Sequence, residues 1–132
     1  MIVILQKQHR EILTLLAGLE ELVRRGSKPF EVLMKLGELS GKVKVHLAQE
    51  DQVLYPALLR HKDPGIRETA QKFVQEMGGL AEAFGKFKTR YSSLDGLKEN
   101  PAQFAAELNK IAAALKKRIQ AEDQELYPLA GV

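Results

Sequence analysis

One block occurs twice in this chain. His46-Leu-Ala-Gln-Glu50-Asp-Gln-Val-Leu-Tyr55-Pro56 returns 72 residues later as Arg118-Ile-Gln-Ala-Glu122-Asp-Gln-Glu-Leu-Tyr127-Pro128. The match extends backwards through Val43/Leu115, Lys44/Lys116, Leu39/Ile111, Leu36/Leu108 and Pro29/Pro101. Apolar residues at alternating steps of three and four make each copy an amphipathic helix. Each copy therefore needs a partner to cover its apolar face. Gly and Pro punctuate the remaining sequence into two further segments rich in Leu, Ala, Glu, Lys and Gln, which can supply those partners.

The punctuation fixes the expected boundaries. Arg24-Arg25-Gly26 reads as a basic last turn with a terminating glycine, and Ser27-Lys28-Pro29 as a cap followed by a first-turn proline. Arg60-His61-Lys62 closes the second segment, Asp63-Pro64 opens the third, Tyr91 to Gly96 dissolves it, and Asn100-Pro101 opens the fourth. Helices are expected over about 2–25, 29–60, 64–92 and 100–128, in one domain spanning 1–132. Short loops favour antiparallel neighbours, so the expected fold is an all-α, up-down-up-down antiparallel four-helix bundle with an internal two-fold pseudo-repeat. Met77-Gly78-Gly79-Leu80 is anomalous inside the third helix: it predicts either a kink or a close approach by a neighbouring helix.

The inward stripes contain polar residues. They read Leu5, His9, Ile12, Leu16, Leu19, Val23; then Leu36, Leu39, Val43, His46, Glu50 and Val53 or Leu54; then Phe73, Met77, Leu80, Phe84, Phe87, Tyr91; then Leu108, Ile111, Leu115, Arg118, Glu122 and Glu125 or Leu126. Spacing alone pairs His9, Ile12 and Leu16 with Met77, Leu80 and Phe84. His46 and Glu50 are four apart and share one helix face. An imidazole and a carboxylate so placed can hold one metal ion or a water. With Glu122 from the repeat and His9 from another helix, they form a polar layer in a helical core, the usual place for metal chemistry in bundles.

Composition removes several alternatives. The absence of cysteine excludes a disulfide scaffold, thiolate zinc, iron–sulfur ligation and a cysteine nucleophile. The apolar run Met1 to Leu5 is broken at once by Gln6-Lys7-Gln8-His9-Arg10, too short for a signal peptide core or a membrane span, so a cytoplasmic location is expected. The net charge is only +3, with acids interspersed among the bases and aromatics on the inner stripes, which argues against a nucleic-acid partner. No catalytic triad order or phosphate loop occurs, and no catalytic residue is assigned.

The early His9 in Gln8-His9-Arg10-Glu11-Ile12, the His46 block and its altered copy at Arg118 together resemble the hemerythrin-like family, the HHE cation-binding domain. The resemblance spans essentially the whole chain. It implies a four-helix bundle around a carboxylate-bridged non-haem di-iron centre, serving dioxygen binding, iron handling, or redox and nitrosative sensing. His9, His46, Glu50 and Glu122 match ligand positions of that family. Met77 and Arg118 stand where it expects histidine, and the chain has only three histidines, of which His61 lies in a basic helix end.

Arg118 separates the readings. A guanidinium stays protonated and its fork suits carboxylates. Between Glu50 and Glu122 it would supply the positive charge that a metal otherwise supplies, giving an incomplete site with no metal or substoichiometric metal and a non-enzymatic binding, sensing or regulatory role. The alternative is a weak mononuclear site at His9, His46, Glu50 and Glu122, holding iron or another divalent transition metal, with Arg118 swung away. An unusual di-iron site, or a core pocket reused for a small ligand, are further arrangements. Tyr55 and Tyr127 line the site, with hydroxyls that either close it over the carboxylates or reach water. Neither a membrane partner nor a particular oligomeric state follows from the sequence.

Overall fold

The computed structural model describes residues 1–130. Among these the regular structure is helical throughout: α1 (Ile2–Arg24), α2 (Pro29–Gln49), α3 (Tyr55–Leu59), α4 (Pro64–Met77), α5 (Leu80–Arg90), α6 (Leu94–Glu99), α7 (Pro101–Ala121) and α8 (Tyr127–Ala130). Single π-helical turns, Glu50–Leu54 and Glu122–Leu126, join α2 to α3 and α7 to α8. No helix among the described residues is long and apolar enough to cross a membrane.

The ends follow local chemistry. α1 stops in a Schellman arrangement: Ser27 N–H donates to the Leu22 carbonyl at 3.0 Å and Gly26 N–H to that of Val23 at 3.1 Å. Gly26 adopts the left-handed φ of 67° that the motif requires. Asp63 caps α4 by accepting from Gly65 N–H at 2.8 Å, and Asn100 caps α7 by accepting from Gln103 N–H at 3.0 Å. Proline follows each cap at the first helical position, where its missing N–H costs nothing.

The expected second and fourth segments are each continuous through a π turn. Pro56 and Pro128 have no N–H to offer the carbonyl four residues back. The backbone widens instead, so that Tyr55 N–H reaches the Glu50 carbonyl and Tyr127 N–H that of Glu122, five residues back in each copy. The third segment is not the single helix over 64–92 expected from the sequence. It breaks at Gly78-Gly79, where a Cβ on Gly78 would lie 2.4 Å from the Val74 carbonyl oxygen. The stretch after Tyr91, expected to be irregular, holds α6, capped by Ser93 Oγ accepting from Gly96 N–H at 3.1 Å and anchored by buried Leu97.

Every stripe residue is buried except Val23, Met77 and Ile111, which are partly covered; Leu54 and Leu126 face inward where two choices stood open. Gln8 bonds Gln49 across the α1–α2 contact and Glu11 pairs with Lys42, so these helices run in opposite directions. The apolar core comes in two parts. The larger holds Ile12, Leu16, Leu36, Leu39, Leu108 and Leu115 with the aromatic group Phe84, Phe87, Tyr91 and Phe104. The smaller holds Leu5, Leu54, Tyr55, Phe73, Leu126 and Tyr127. Along α1, α2 and α7 the buried polar residues fall between the two.

Gly37, Gly41 and Gly85 lie inside helices, where each weakens the helix by roughly 0.5–1 kcal/mol relative to alanine. A Cβ at any of the three meets nothing within 4 Å. Gly41→Ala is therefore expected to raise stability by about 0.5–1 kcal/mol. Gly78→Ala is expected to lower it by about 1–3 kcal/mol through the clash with Val74. Urea unfolding of the two variants, monitored by helical circular dichroism, checks both signs.

Candidate metal centre

Five polar side chains fill the layer between the apolar clusters: His9 from α1, His46 from α2, Arg118 from α7, and Glu50 and Glu122 from the first residue of each π turn. None is more than 2% exposed. One ligand atom each from His9, His46, Glu50 and Glu122 can be chosen so that all lie within 4.8 Å of one another. The structure thus brings the sequence-selected residues together.

Arg118 lies among them, at the position read from the stripe. Its Nε donates to Glu122 Oε2 at 3.1 Å and its Nη2 to Glu50 Oε1 at 3.2 Å and Asp51 Oδ1 at 2.8 Å. Nη1 reaches the Met77 carbonyl at 3.4 Å, the contact through which the third segment enters the site. The guanidinium carbon stands 5.3 Å from the centre of the Tyr55 ring. Such multidentate contact with carboxylates suits arginine and not lysine.

The tyrosines cross between the copies. Tyr55 donates to Glu122 Oε2 at 2.6 Å, and Tyr127 donates to Glu50 Oε2. Tyr127 also stacks on His9, with centroids 5.1 Å apart. Burial and the neighbouring carboxylates push both phenols well above the usual tyrosine range, so both remain donors. Of the two roles open to these hydroxyls in the sequence, both take the carboxylate.

The histidines differ in state. His9 Nδ1 lies 2.8 Å from Asp123 Oδ1 and Nε2 lies 3.1 Å from Glu122 Oε1. Burial alone would lower its pKa, but hydrogen bonds and charge from Glu122 and Asp123 outweigh burial and raise it, so both nitrogens hold protons in the favoured form. His46 is pushed down to about 4, chiefly by burial and then by the His9 and Arg118 charges. Its Nδ1 donates to Gln8 Oε1 at 2.7 Å, because the Gln8 amide nitrogen is committed to Gln49. Its Nε2 is buried without a hydrogen-bond partner among the described residues. Glu50 Oε1 is near it, 3.2 Å away, but an unprotonated nitrogen and a carboxylate oxygen offer each other no hydrogen.

Gln8, Asp51 and Asp123 complete the site without having been selected from the sequence. The repeat carries an aspartate directly after each glutamate, which was a usable signal. Helical periodicity of 3.6 residues turns that position away from the layer, whereas the widened π turn brings it to the edge. His61 takes no part: its Nδ1 accepts from Asp63 N–H at 3.0 Å at the end of α3.

Comparison with protein families gives a match to the hemerythrin HHE cation-binding domain over residues 1–130. The chain belongs to this family. No curated protein and no solved structure gives a significant match.

A hemerythrin HHE domain implies a metal, and the donors of this one can be tested for it. A two-metal centre does not fit. Arg118 bridges the two carboxylates a metal pair would share. A second cation beside the guanidinium would be repelled in a medium of low dielectric. One donor is suitably prepared for a single ion: His46 Nε2 carries a free lone pair, its ring held by Gln8 from behind.

Two pH dependences follow. His46 has a folded-state value of about 4, below the ordinary 6.5, so the unfolded chain takes up its proton first. Stability from this residue is complete above about pH 6.5 and is lost as pH falls toward 4, by roughly 3 kcal/mol over that range. His9, raised above 6.5, works in the opposite direction and loses its contribution as pH rises through its folded-state value. His46→Gln is expected to flatten the fall in Tm of metal-free protein between pH 6.5 and 4; an unchanged slope in a thermal melt series contradicts the assignment.

Proposed function

We propose that this hemerythrin HHE domain holds its core carboxylates with an internal cation, Arg118, in place of a metal pair. It is a single up-down-up-down four-helix bundle with an internal pseudo-repeat, and works as a non-enzymatic binding, sensing or regulatory module in the cytoplasm. The observation that carries this reading is the span of Arg118 across Glu50 and Glu122. Two further features support it. Every oxygen of the two carboxylates already has a donor, from Arg118, Tyr55, Tyr127 or His9. With His9 protonated, the buried layer balances two positive groups against two negative ones, the condition under which buried charges are tolerated. A layer saturated in this way leaves no open position for a substrate.

His46 Nε2 favours a second reading, in which one divalent cation binds His9, His46, Glu50 and Glu122 after Arg118 turns aside. Elemental analysis of protein grown with iron, repeated after anaerobic Fe(II) loading, separates the two. On the first reading the parent stays well below one metal per chain and its Tm ignores chelator. On this reading Arg118→His combined with Met77→His gains iron under the same loading; no gain relative to the parent refutes the blocking role of Arg118. Near-stoichiometric metal in the parent, lost in His46→Ala, establishes the second.

A further inference from the structure

A groove of about 780 Å³ lies between α2 and α5, within the size range of small-molecule sites and bordering the polar layer at Asp51. Gly37 and Gly41 from α2 and Gly85 from α5 line it. None of them adopts a positive φ, and among the described residues a Cβ on any of them has no atom of another element within 4 Å. Neither turn geometry nor internal packing therefore calls for glycine at these positions, although each weakens its helix. What the three have in common is that they line the groove and that a Cβ on each would enter open space. The floor is formed by Val43, Leu47 and Phe84, all buried in the main core, so an occupant would meet a firm apolar surface.

The groove is charged on one sign. Lys44 and Lys88 line it, one from each helix. Neighbouring lysines are engaged: Lys42 with Glu11 at 2.7 Å, Lys86 with Glu82 at 3.2 Å, and Lys116 with Glu20 at 3.0 Å. Among the described residues, neither Lys44 nor Lys88 has a carboxylate within 4.0 Å. The one acid at the groove, Asp51, is bound to Arg118 at 2.8 Å. An apolar trough cleared of side chains and flanked by two uncompensated ammonium groups complements a molecule with an apolar body and one anionic end.

We propose that the groove between α2 and α5 binds a small amphipathic anion, such as a single acyl chain ending in a carboxylate. The chain lies over Val43, Leu47 and Phe84 in the space left by the three glycines, and the carboxylate sits between Lys44 and Lys88. None of the donors His9, His46, Glu50 and Glu122 lines this groove.

Decanoate, titrated below its micelle concentration and followed by calorimetry, tests it. The parent is expected to bind one decanoate and to bind decyltrimethylammonium at least tenfold more weakly. Gly41→Leu with Gly85→Leu fills the trough, and Lys44→Glu with Lys88→Glu reverses the charge; each pair is expected to cost at least tenfold in decanoate affinity. Lys44→Arg with Lys88→Arg is expected to retain binding. Gly41→Ala, which improves the helix, separates loss of the groove from loss of fold, since it keeps the circular dichroism of the parent and impairs binding less than leucine does. Absence of decanoate binding, equal affinity for the cationic amphiphile, or affinity unchanged in either disruptive pair overturns the proposal. So does a parent dimer in sedimentation that Gly41→Leu converts to monomer, which would make the groove a contact between copies of the chain.

Discussion

Two carboxylates stand in the middle of this helical core with no exposure to solvent, and everything around them is arranged to offset their charge. Like charges a few ångströms apart repel by about 4 kcal/mol at an effective dielectric of 20, and desolvation of each adds more. Burial and the nearby Glu50 push Glu122 above the usual carboxylate range, against the opposing pull of His9 and Arg118. Arg118 answers this from a single side chain: it contacts Glu50, Glu122 and Asp51 and itself stays charged, because those carboxylates outweigh its burial. Remove the guanidinium and the layer has one cation, His9, for two buried anions.

The internal repeat explains why one arginine suffices. Each copy contributes a glutamate at the start of a π turn and a tyrosine at its end, and each tyrosine bonds the glutamate of the other copy. The two halves are therefore locked together by reciprocal contacts on either side of the layer. Within the buried layer the symmetry fails where one copy has His46 and the other Arg118. The first is held neutral and the second charged. At equivalent places of the repeat, Arg118 therefore spends its donors on the carboxylates, whereas His46 keeps an unprotonated nitrogen that faces them.

The sequence stripes located the main helices and most of the buried residues because a step of 3.6 residues decides which side chains face the core. They leave out Val32, one turn ahead of the second stripe, and Leu47, Ala112 and Ile119, one position off the stripes, which are buried as well. They also placed Arg118 beside Glu50 and Glu122, since a charged residue in phase with leucines has nowhere else to go. Three features were not legible. A glycine pair permits either a kink or close packing, so the break at Gly78-Gly79 does not follow from the residues alone. The α6 turn needed Ser93 as its cap and Leu97 as its anchor, too short a pattern to register as a helical period. Asp51 and Asp123 lie inside the π turns that precede Pro56 and Pro128, and a turn of that kind moves side chains out of the phase that the stripes assume.

A metal and a guanidinium can both neutralise buried carboxylates, but they differ in what they make possible. A metal exchanges with the medium, changes oxidation state and accepts further ligands. Arg118 is tethered, keeps one charge at all accessible pH values and is already saturated by its acceptors. A buried ion network of this kind is weak evidence of net stability, since desolvation offsets much of the attraction between its members. Any ligand-dependent role must then enter from outside the layer. Asp51 is where outside and inside meet: it borders the groove between α2 and α5 and accepts from Arg118. An occupant of that groove can alter the layer only to the extent that it binds differently when Asp51 holds the guanidinium and when it does not.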